Sequence, residues 1–277
     1  MDNFLMVLSF SWLPFCTALL FSITTPPLGA SLYLRNEVLL GLALPPVGSA
    51  SVALAVLLGV PPESNGTLYL VAFITIFAVF MLLPLGTGKE RVSLRRREIV
   101  LAAAFVLGNA LTMLFMALST NAEAHLKHLL NGELLAIGTI EFITTLIVTI
   151  IGISLGFYFR GMLIAFSLDE EALSIKSNHH QRIKIFYRLG AALVVTLGII
   201  LVGPILCTAL LILPPLLAER KSTGIENYTF ITVLIGFFGT AAGFICSIIL
   251  DLPPSYIAVC GMVVIGVLIM FFKNVLK

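Results

Sequence analysis

The chain has 277 residues, of which 59% are hydrophobic and only 11% charged. An ordinary soluble domain carries about 25% charged residues, so a mean hydropathy of +1.10 excludes a water-soluble core-and-surface protein. With 16 Lys and Arg against 14 Asp and Glu, the net charge is +2, a balance that argues against a nucleic-acid binder, which needs a basic patch or stripe.

The composition is that of a polytopic membrane protein. A spanning helix takes about 20 apolar residues, and nine apolar runs can be bracketed by polar or turn residues: 10–34, 38–59, 67–86, 99–119, 137–158, 186–202, 204–218, 228–249 and 255–273. The fold class is therefore all-α, a membrane helical bundle of about nine segments. Met1 to Ser11 carries Asp2 but no Lys or Arg, unlike a secretory signal, so the first run is read as a retained span. The run 204–218 is short and contains Pro204, Pro214 and Pro215. It is expected to be a broken or partial span, tolerable where protein or a cavity surrounds it.

Basic residues orient the spans, because cytoplasmic loops carry the excess of Lys and Arg. With the N-terminus outside and strict alternation, Arg35, Lys89, Arg91, Arg95, Arg96, Arg97, Arg160, Lys176, Arg182, Lys184, Arg188, Arg220, Lys221, Lys273 and Lys277 all fall inside. Only Lys127 falls outside. The expected arrangement is multi-pass in the inner (cytoplasmic) membrane, with the C-terminus in the cytoplasm. The whole chain, 1–277, reads as one transmembrane domain, since the outer loops are short and no extramembrane domain is evident. Asn65-Gly66-Thr67 matches a glycosylation sequon, a pattern common by chance.

Within the spans, Asn109 and Glu141 are the main polar groups, with Asp251 at an outer end. An ionisable group at membrane depth is a functional candidate, although Glu141 also fits a solvated position near the outer surface. His125 and His128 share a face of an outer-surface helix, near Glu123 and Glu133, where either a divalent metal or plain solvent suits them. Gly152-x-x-x-Gly156 and Gly239-x-x-x-Gly243 each place two glycines on one face and predict close helix packing, within the chain or with a second copy. Cys16, Cys207, Cys246 and Cys260 lie in apolar runs without a C-x-x-C pair and read as small buried hydrophobes.

No hydrolytic constellation is present, so no catalytic residue is assigned and the chain is not expected to be an enzyme. Leu85-Gly86-Thr87-Gly88-Lys89-Glu90 lacks the first glycine and the Ser or Thr of a phosphate loop, and the chain is not expected to bind ATP or another cofactor. The longest inside stretch is 160–187. Ser167-Leu-Asp-Glu170 is a capping box that starts a helix at Ser167, with Asp169 and Glu170 at its positive end. Glu171, Ala172, Leu173 and Ile175 complete a short amphipathic face suited either to docking a soluble partner or to lying at the lipid interface.

Five stretches resemble one family, the permease subunits of ABC importers of the zinc/manganese/iron type. Pro27-Leu-Gly-Ala-Ser-Leu-Tyr-Leu-Arg35 is similar to its "PLGxxxxxR" pattern, and His128-Leu-Leu-Asn-Gly-Glu-Leu-Leu-Ala136 to its "LFGDLLA" stretch. Ser167 to Lys184 resembles its cytoplasmic coupling segment. Val202-Gly-Pro-Ile-Leu-Cys-Thr-Ala-Leu-Leu-Ile-Leu-Pro-Pro-Leu-Leu-Ala-Glu-Arg220 resembles its "VGxLLxxALLxxPAxxA" signature, and Asp251-Leu-Pro-Pro-Ser255 its "DxPxG" turn. The resemblance implies a type II ABC importer permease. Such a chain pairs with a copy of itself, docks an ABC ATPase through Ser167, Asp169, Glu170, Glu171, Ala172 and Ile175, and receives cargo from an extracytoplasmic binding protein; ATP is used by the partner subunit.

One departure matters. The family carries an Asp and, four residues on, a His in its second span, where carboxylate and imidazole can share a metal. Here Gly41 and Pro45 align with them, and neither ligates through a side chain. The proline pair Pro45-Pro46 is expected to kink the span and free carbonyls. No metal ligand is therefore assigned, and the cargo reads as a metal chelate, a metal ion held elsewhere, or a solute that is not a metal. From position alone, Gly41, Pro45, Pro46, Ser49, Asn109 and Glu141 are transport-path candidates. The alternatives are a stand-alone secondary transporter or channel, which needs charged relays that the spans lack, and a membrane scaffold or embedded enzyme.

Overall fold

The computed structural model describes residues 12–34, 38–58, 73–74, 77, 91–119, 139–158, 190, 193–219, 222, 224–250 and 252–275. Those residues form helices and their connections. In chain order they are α1 (Trp12–Leu34), α2 (Val38–Leu57), α3 (Arg91–Leu118), α4 (Thr139–Tyr158), a helical stretch at 193–201, α5 (Pro204–Glu219), α6 (Ile225–Leu250) and α7 (Pro254–Val275). Helix is the form expected, since lipid offers no hydrogen-bond partners and each backbone group must be satisfied within the segment.

Among the described residues, four helices have the length and apolar composition to cross a membrane: Trp12–Leu34, Val38–Leu57, Glu98–Leu118 and Ile225–Leu250. At 1.5 Å per residue, the 23 residues of α1 reach about 34 Å, enough for a hydrocarbon core of about 30 Å. The expected spans 10–34, 38–59, 99–119, 137–158, 228–249 and 255–273 each coincide with a helix. Helix α3 starts earlier than its apolar run, at Arg91. The expected run 67–86 falls almost wholly outside the described residues, as does the stretch 160–187.

Helix α5 sits in the middle of the bundle, packed on α1, α2, α6 and α7. The expectation of a broken segment there is modified. The chain breaks before α5, not within it. Gly203 has φ 91°, a left-handed conformation that only glycine adopts at no cost. It ends the 193–201 helix, and Pro204 opens α5 at a position where its missing N–H costs nothing. Helix α5 then continues through Pro214 and Pro215 to Glu219, 16 residues in all. Surrounded by other helices, it does not need to match the bilayer thickness alone.

The core forms around this centre. Phe21 of α1, Leu197 and Leu201, Leu206 and Leu210 of α5, Phe244 of α6 and Met262 of α7 make one buried cluster. Leu40, Ala43 and Leu44 of α2 join Val195, Ile199, Cys207 and Leu211 in a second. The outward faces are equally apolar. Val106 and Leu118 of α3 are 62% and 63% exposed, and Ile147 of α4, Ile249 of α6 and Val264 of α7 are exposed as well. Such faces are stable in hydrocarbon and not in water. Helix α3 packs chiefly on α2 and α4 on α1, leaving most of their circumference outward.

The Gly239-x-x-x-Gly243 motif brings two helices of the same chain together. A Cβ on Gly243 would lie 2.3 Å from the Ala258 Cα, and one on Gly261 would lie 2.6 Å from the Gly239 carbonyl oxygen. The backbones of α6 and α7 are thus in direct contact. Ser247 pins the connection between them. Its hydroxyl donates to the Leu252 carbonyl at 2.8 Å, while its own carbonyl accepts from the Leu252 N–H at 3.2 Å. Gly152 of α4 is looser, with the Thr24 Cγ2 3.8 Å from where its Cβ would be.

Candidate functional site

Most hydroxyls in the spans are engaged by their own helix. Thr17, Thr24, Ser51, Thr112, Thr229 and Thr232 each donate to the carbonyl four residues back. This back-bonding satisfies the donor of a polar side chain where no water is present.

The transport-path candidates of α2 diverge. Gly41 faces α1, with the Leu32 Cδ1 3.4 Å from where a Cβ would be. Pro46 faces α3, where a Cβ on Gly108 would lie 2.8 Å from the Pro46 carbonyl carbon. Ser49 lies on the α3 side too. Its hydroxyl lies 2.9 Å from the Pro46 carbonyl and 3.0 Å from the Thr112 hydroxyl; with the Thr112 proton on the Gly108 carbonyl at 2.8 Å, Ser49 is the donor across to α3. Gly41, Pro45, Pro46 and Ser49 are all buried. Helix α2 runs unbroken from Val38 to Leu57 through the proline pair, so the expected kink does not interrupt it. Asn109 does not join this group. It is exposed, and its amide donates to the Phe105 carbonyl of its own helix at 2.9 Å. Glu141 falls in the first turn of α4, and its side chain is not among those described. Ser167, Asp169, Glu170, Glu171, Ala172 and Ile175 lie outside the described residues.

The Ser49–Thr112 contact joins α2 to α3. Buried interhelical hydrogen bonds in membrane proteins contribute about 0.6 kcal/mol on average, so Ser49→Ala is expected to cost about that much. Asn109→Ala is expected to cost nothing measurable. Thermal unfolding of the two purified variants separates these outcomes.

Prolines organise the centre. Each of α1, α2 and α5 contains an adjacent pair, Pro26-Pro27, Pro45-Pro46 and Pro214-Pro215. A proline nitrogen carries no hydrogen, so the carbonyl four residues earlier loses its helical donor. Two of those carbonyls lie against glycines of a neighbouring helix. Leu211 O would be 2.0 Å from a Cβ on Gly29, and Ser22 O would be 3.1 Å from one on Gly236. Such approaches permit weak Cα–H···O contacts and cover the freed oxygens. Between α1, α2 and α5 a small cavity of about 20 Å³ is lined by Gly29, Tyr33, Gly41 and Leu211 among others.

At one edge of that cavity, where α1, α5 and α6 meet, is a polar cluster that sequence reasoning did not single out. The Tyr33 hydroxyl donates to Glu219 Oε2. The Tyr228 ring lies 6.2 Å from that of Tyr33, tilted by 45°. Tyr228 is only 3% exposed, and its hydroxyl has no hydrogen-bond partner among the described residues. Among the described residues no group of three or more His, Cys, Asp or Glu is placed to hold a metal ion. At the aligned Asp and His positions, Gly41 and Pro45 offer only backbone.

A bundle of apolar-faced helices around a short central one is a polytopic membrane fold. Residues 10–273 match the ABC 3 transport family, and the chain belongs to it. It is similar to the high-affinity zinc uptake system membrane protein ZnuB of Buchnera aphidicola subsp. Acyrthosiphon pisum, 26% identical over 239 residues, covering 85% of this chain and 87% of that one. ZnuB of Haemophilus influenzae is 25% identical over 235 residues, with the same coverage, 85% and 87%. Among solved structures, PsaBC from Streptococcus pneumoniae in complex with Fab superposes with a TM-score of 0.78 at 18% identity, covering 96% of this chain and 94% of that one. The chain is the multi-pass permease subunit of an ABC transporter.

Proposed function

We propose that the chain forms the pore of an importer for a transition metal ion or metal chelate. The observation that carries this reading is the family match over nearly the full length, together with relatives named for zinc uptake. The N-terminus is placed outside and the C-terminus inside by the distribution of Lys and Arg. An ABC ATPase supplies the energy from the cytoplasmic side, a binding protein delivers cargo from the other side, and two copies of the chain flank the path. Gly41 and Pro45 stand where the zinc/manganese/iron-type permeases carry Asp and His. A cargo that crosses at this depth therefore meets backbone oxygens or keeps its own ligands, which favours a chelate or a hard-ligand metal.

Affinity purification from the native membrane in mild detergent tests the assembly. A P-loop ATPase and a binding protein are expected to accompany the chain. A clean preparation without an ATPase, under conditions that keep other ABC complexes whole, would replace the importer with a stand-alone transporter. Docking is assigned to Ser167, Asp169, Glu170, Glu171, Ala172 and Ile175. Asp169→Lys with Glu170→Lys inverts the charge at the start of that segment. ATPase recovery and metal uptake are both expected to fall at least about tenfold, the effect of losing about 1.4 kcal/mol of binding. Retention of both would remove the docking assignment.

A further inference from the structure

We propose that Tyr33, Glu219 and Tyr228 form a two-position latch: Tyr33 holds the Glu219 carboxylate in the state described here, and the carboxylate passes to Tyr228 when the end of α5 shifts. The geometry supports this in three ways. First, Glu219 is the last residue of α5. Glu219 is exposed, and a carboxylate at a helix C-terminus faces the negative end of the dipole and unpaired carbonyls, so a donor there stabilises it. Tyr33, near the end of α1, supplies one through a charge-assisted bond that spans 186 residues of sequence.

Second, a vacant donor is close by. Tyr228 packs with Ala30, Ala218 and Ile235 in one buried cluster, and Ala218 is the residue before Glu219. A buried hydroxyl with no partner is disfavoured, and donating to the Glu219 carboxylate would relieve it. The two tyrosines therefore offer the carboxylate two donors on different helices, α1 and α6.

Third, the hydrogen-bond ladder of α5 is weakened just before its end. Leu211 is fixed against Gly29 of α1, whereas Pro214 and Pro215 interrupt the hydrogen-bond ladder between that anchor and the last turn. Tyr33 also lines the small cavity between α1, α2 and α5. A role in the transport cycle rests on the importer reading. In that cycle, handover loosens α1 from α5 and fastens α5 to α6 at the end assigned to the cytoplasm.

The test is conditional coupling in the full chain, in lipid nanodiscs, read by thermal unfolding of all combinations of Tyr33→Phe, Glu219→Ala and Tyr228→Phe. With Tyr33 present, Glu219→Ala and Tyr228→Phe are expected to be additive. With Phe at 33, the carboxylate is left with Tyr228, and the same two changes become non-additive by about 2–4 °C, the shift of about one hydrogen bond in a chain of this size. Additivity in both backgrounds overturns the handover. Non-additivity in both also overturns it, because Glu219 would then engage Tyr228 already. Metal uptake by cells carrying Tyr228→Phe is expected to slow about tenfold while the protein stays folded. Uptake at the wild-type rate overturns the part of the latch in transport. If the unaltered chain supports no metal uptake, the importer reading fails, and the coupling measurement still decides the handover.

Discussion

Gly29→Val is expected to prevent recovery of folded permease. A Cβ at this position would lie 2.0 Å from the Leu211 carbonyl oxygen, 2.8 Å from its carbonyl carbon and 3.0 Å from its Cα. These are backbone atoms, and no rotamer change can clear them. Helices α1 and α5 must separate, in the centre of the bundle. Overpacking alone costs about 1–3 kcal/mol. Separation also uncovers the oxygen that Pro215 has deprived of its donor, at about 1–3 kcal/mol more. A total of about 4 kcal/mol is comparable to the whole stability of many domains. Size-exclusion profiles in mild detergent should show aggregate where the unaltered chain gives a single peak. Gly41→Ala is the control: its Cβ meets only a Leu32 methyl at 3.4 Å, and the profile should be unchanged. A monodisperse Gly29→Val protein would mean that α1 and α5 do not touch there.

Gly243→Leu is expected to open the α6–α7 hairpin. Its Cβ would lie 2.3 Å from the Ala258 Cα, 2.7 Å from the Ala258 nitrogen and 2.7 Å from the Ile257 carbonyl oxygen. Gly239 and Gly261 continue the same seam, with a Cβ on Gly239 2.6 Å from the Met262 Cα. In lipid, helices associate largely through such close packing, since burying apolar surface against protein gains little over burying it against lipid. Losing the seam therefore removes most of the attraction between the two helices. A cost of about 3 kcal/mol corresponds to a fall of about 6–12 °C in the unfolding midpoint. A midpoint within a degree or two of the unaltered chain would show that the hairpin is held by its turn and not by the glycines.

The helices were readable from the sequence because lipid permits little else: an apolar run bounded by charges or turns must be a helix. The ends agree closely, as in 137–158 against Thr139–Tyr158 and 255–273 against Pro254–Val275. The turn at Gly203-Pro204 was also readable, since that dipeptide separates two apolar runs. Partners in space were not. The Gly239 motif predicted a contact without saying whether α7 or a second copy supplied it. Pro45-Pro46 suggested a kink, and α2 runs as one helix from Val38 to Leu57 through the pair. Asn109 drew attention as a polar group at membrane depth, but its amide is satisfied one turn back and faces outward. The Tyr33, Glu219 and Tyr228 cluster left no local signature, as its members close three different helix ends and meet only after the chain has folded. What could have flagged it is the recurrence of polar residues at the margins of three apolar runs.

The freed carbonyls also bear on how the protein is made. Ser22 O is covered by Gly236, yet the ribosome reaches Gly236 roughly two hundred residues after Ser22, about 10–40 s later at ordinary elongation rates. During that interval α1 holds a backbone oxygen that lipid cannot satisfy. The newborn helix is expected to stay beside the translocon, an insertase or a chaperone until α5 and α6 arrive. Truncations that end before α5 should accordingly be cleared by membrane proteases even though every span they contain is apolar enough to insert.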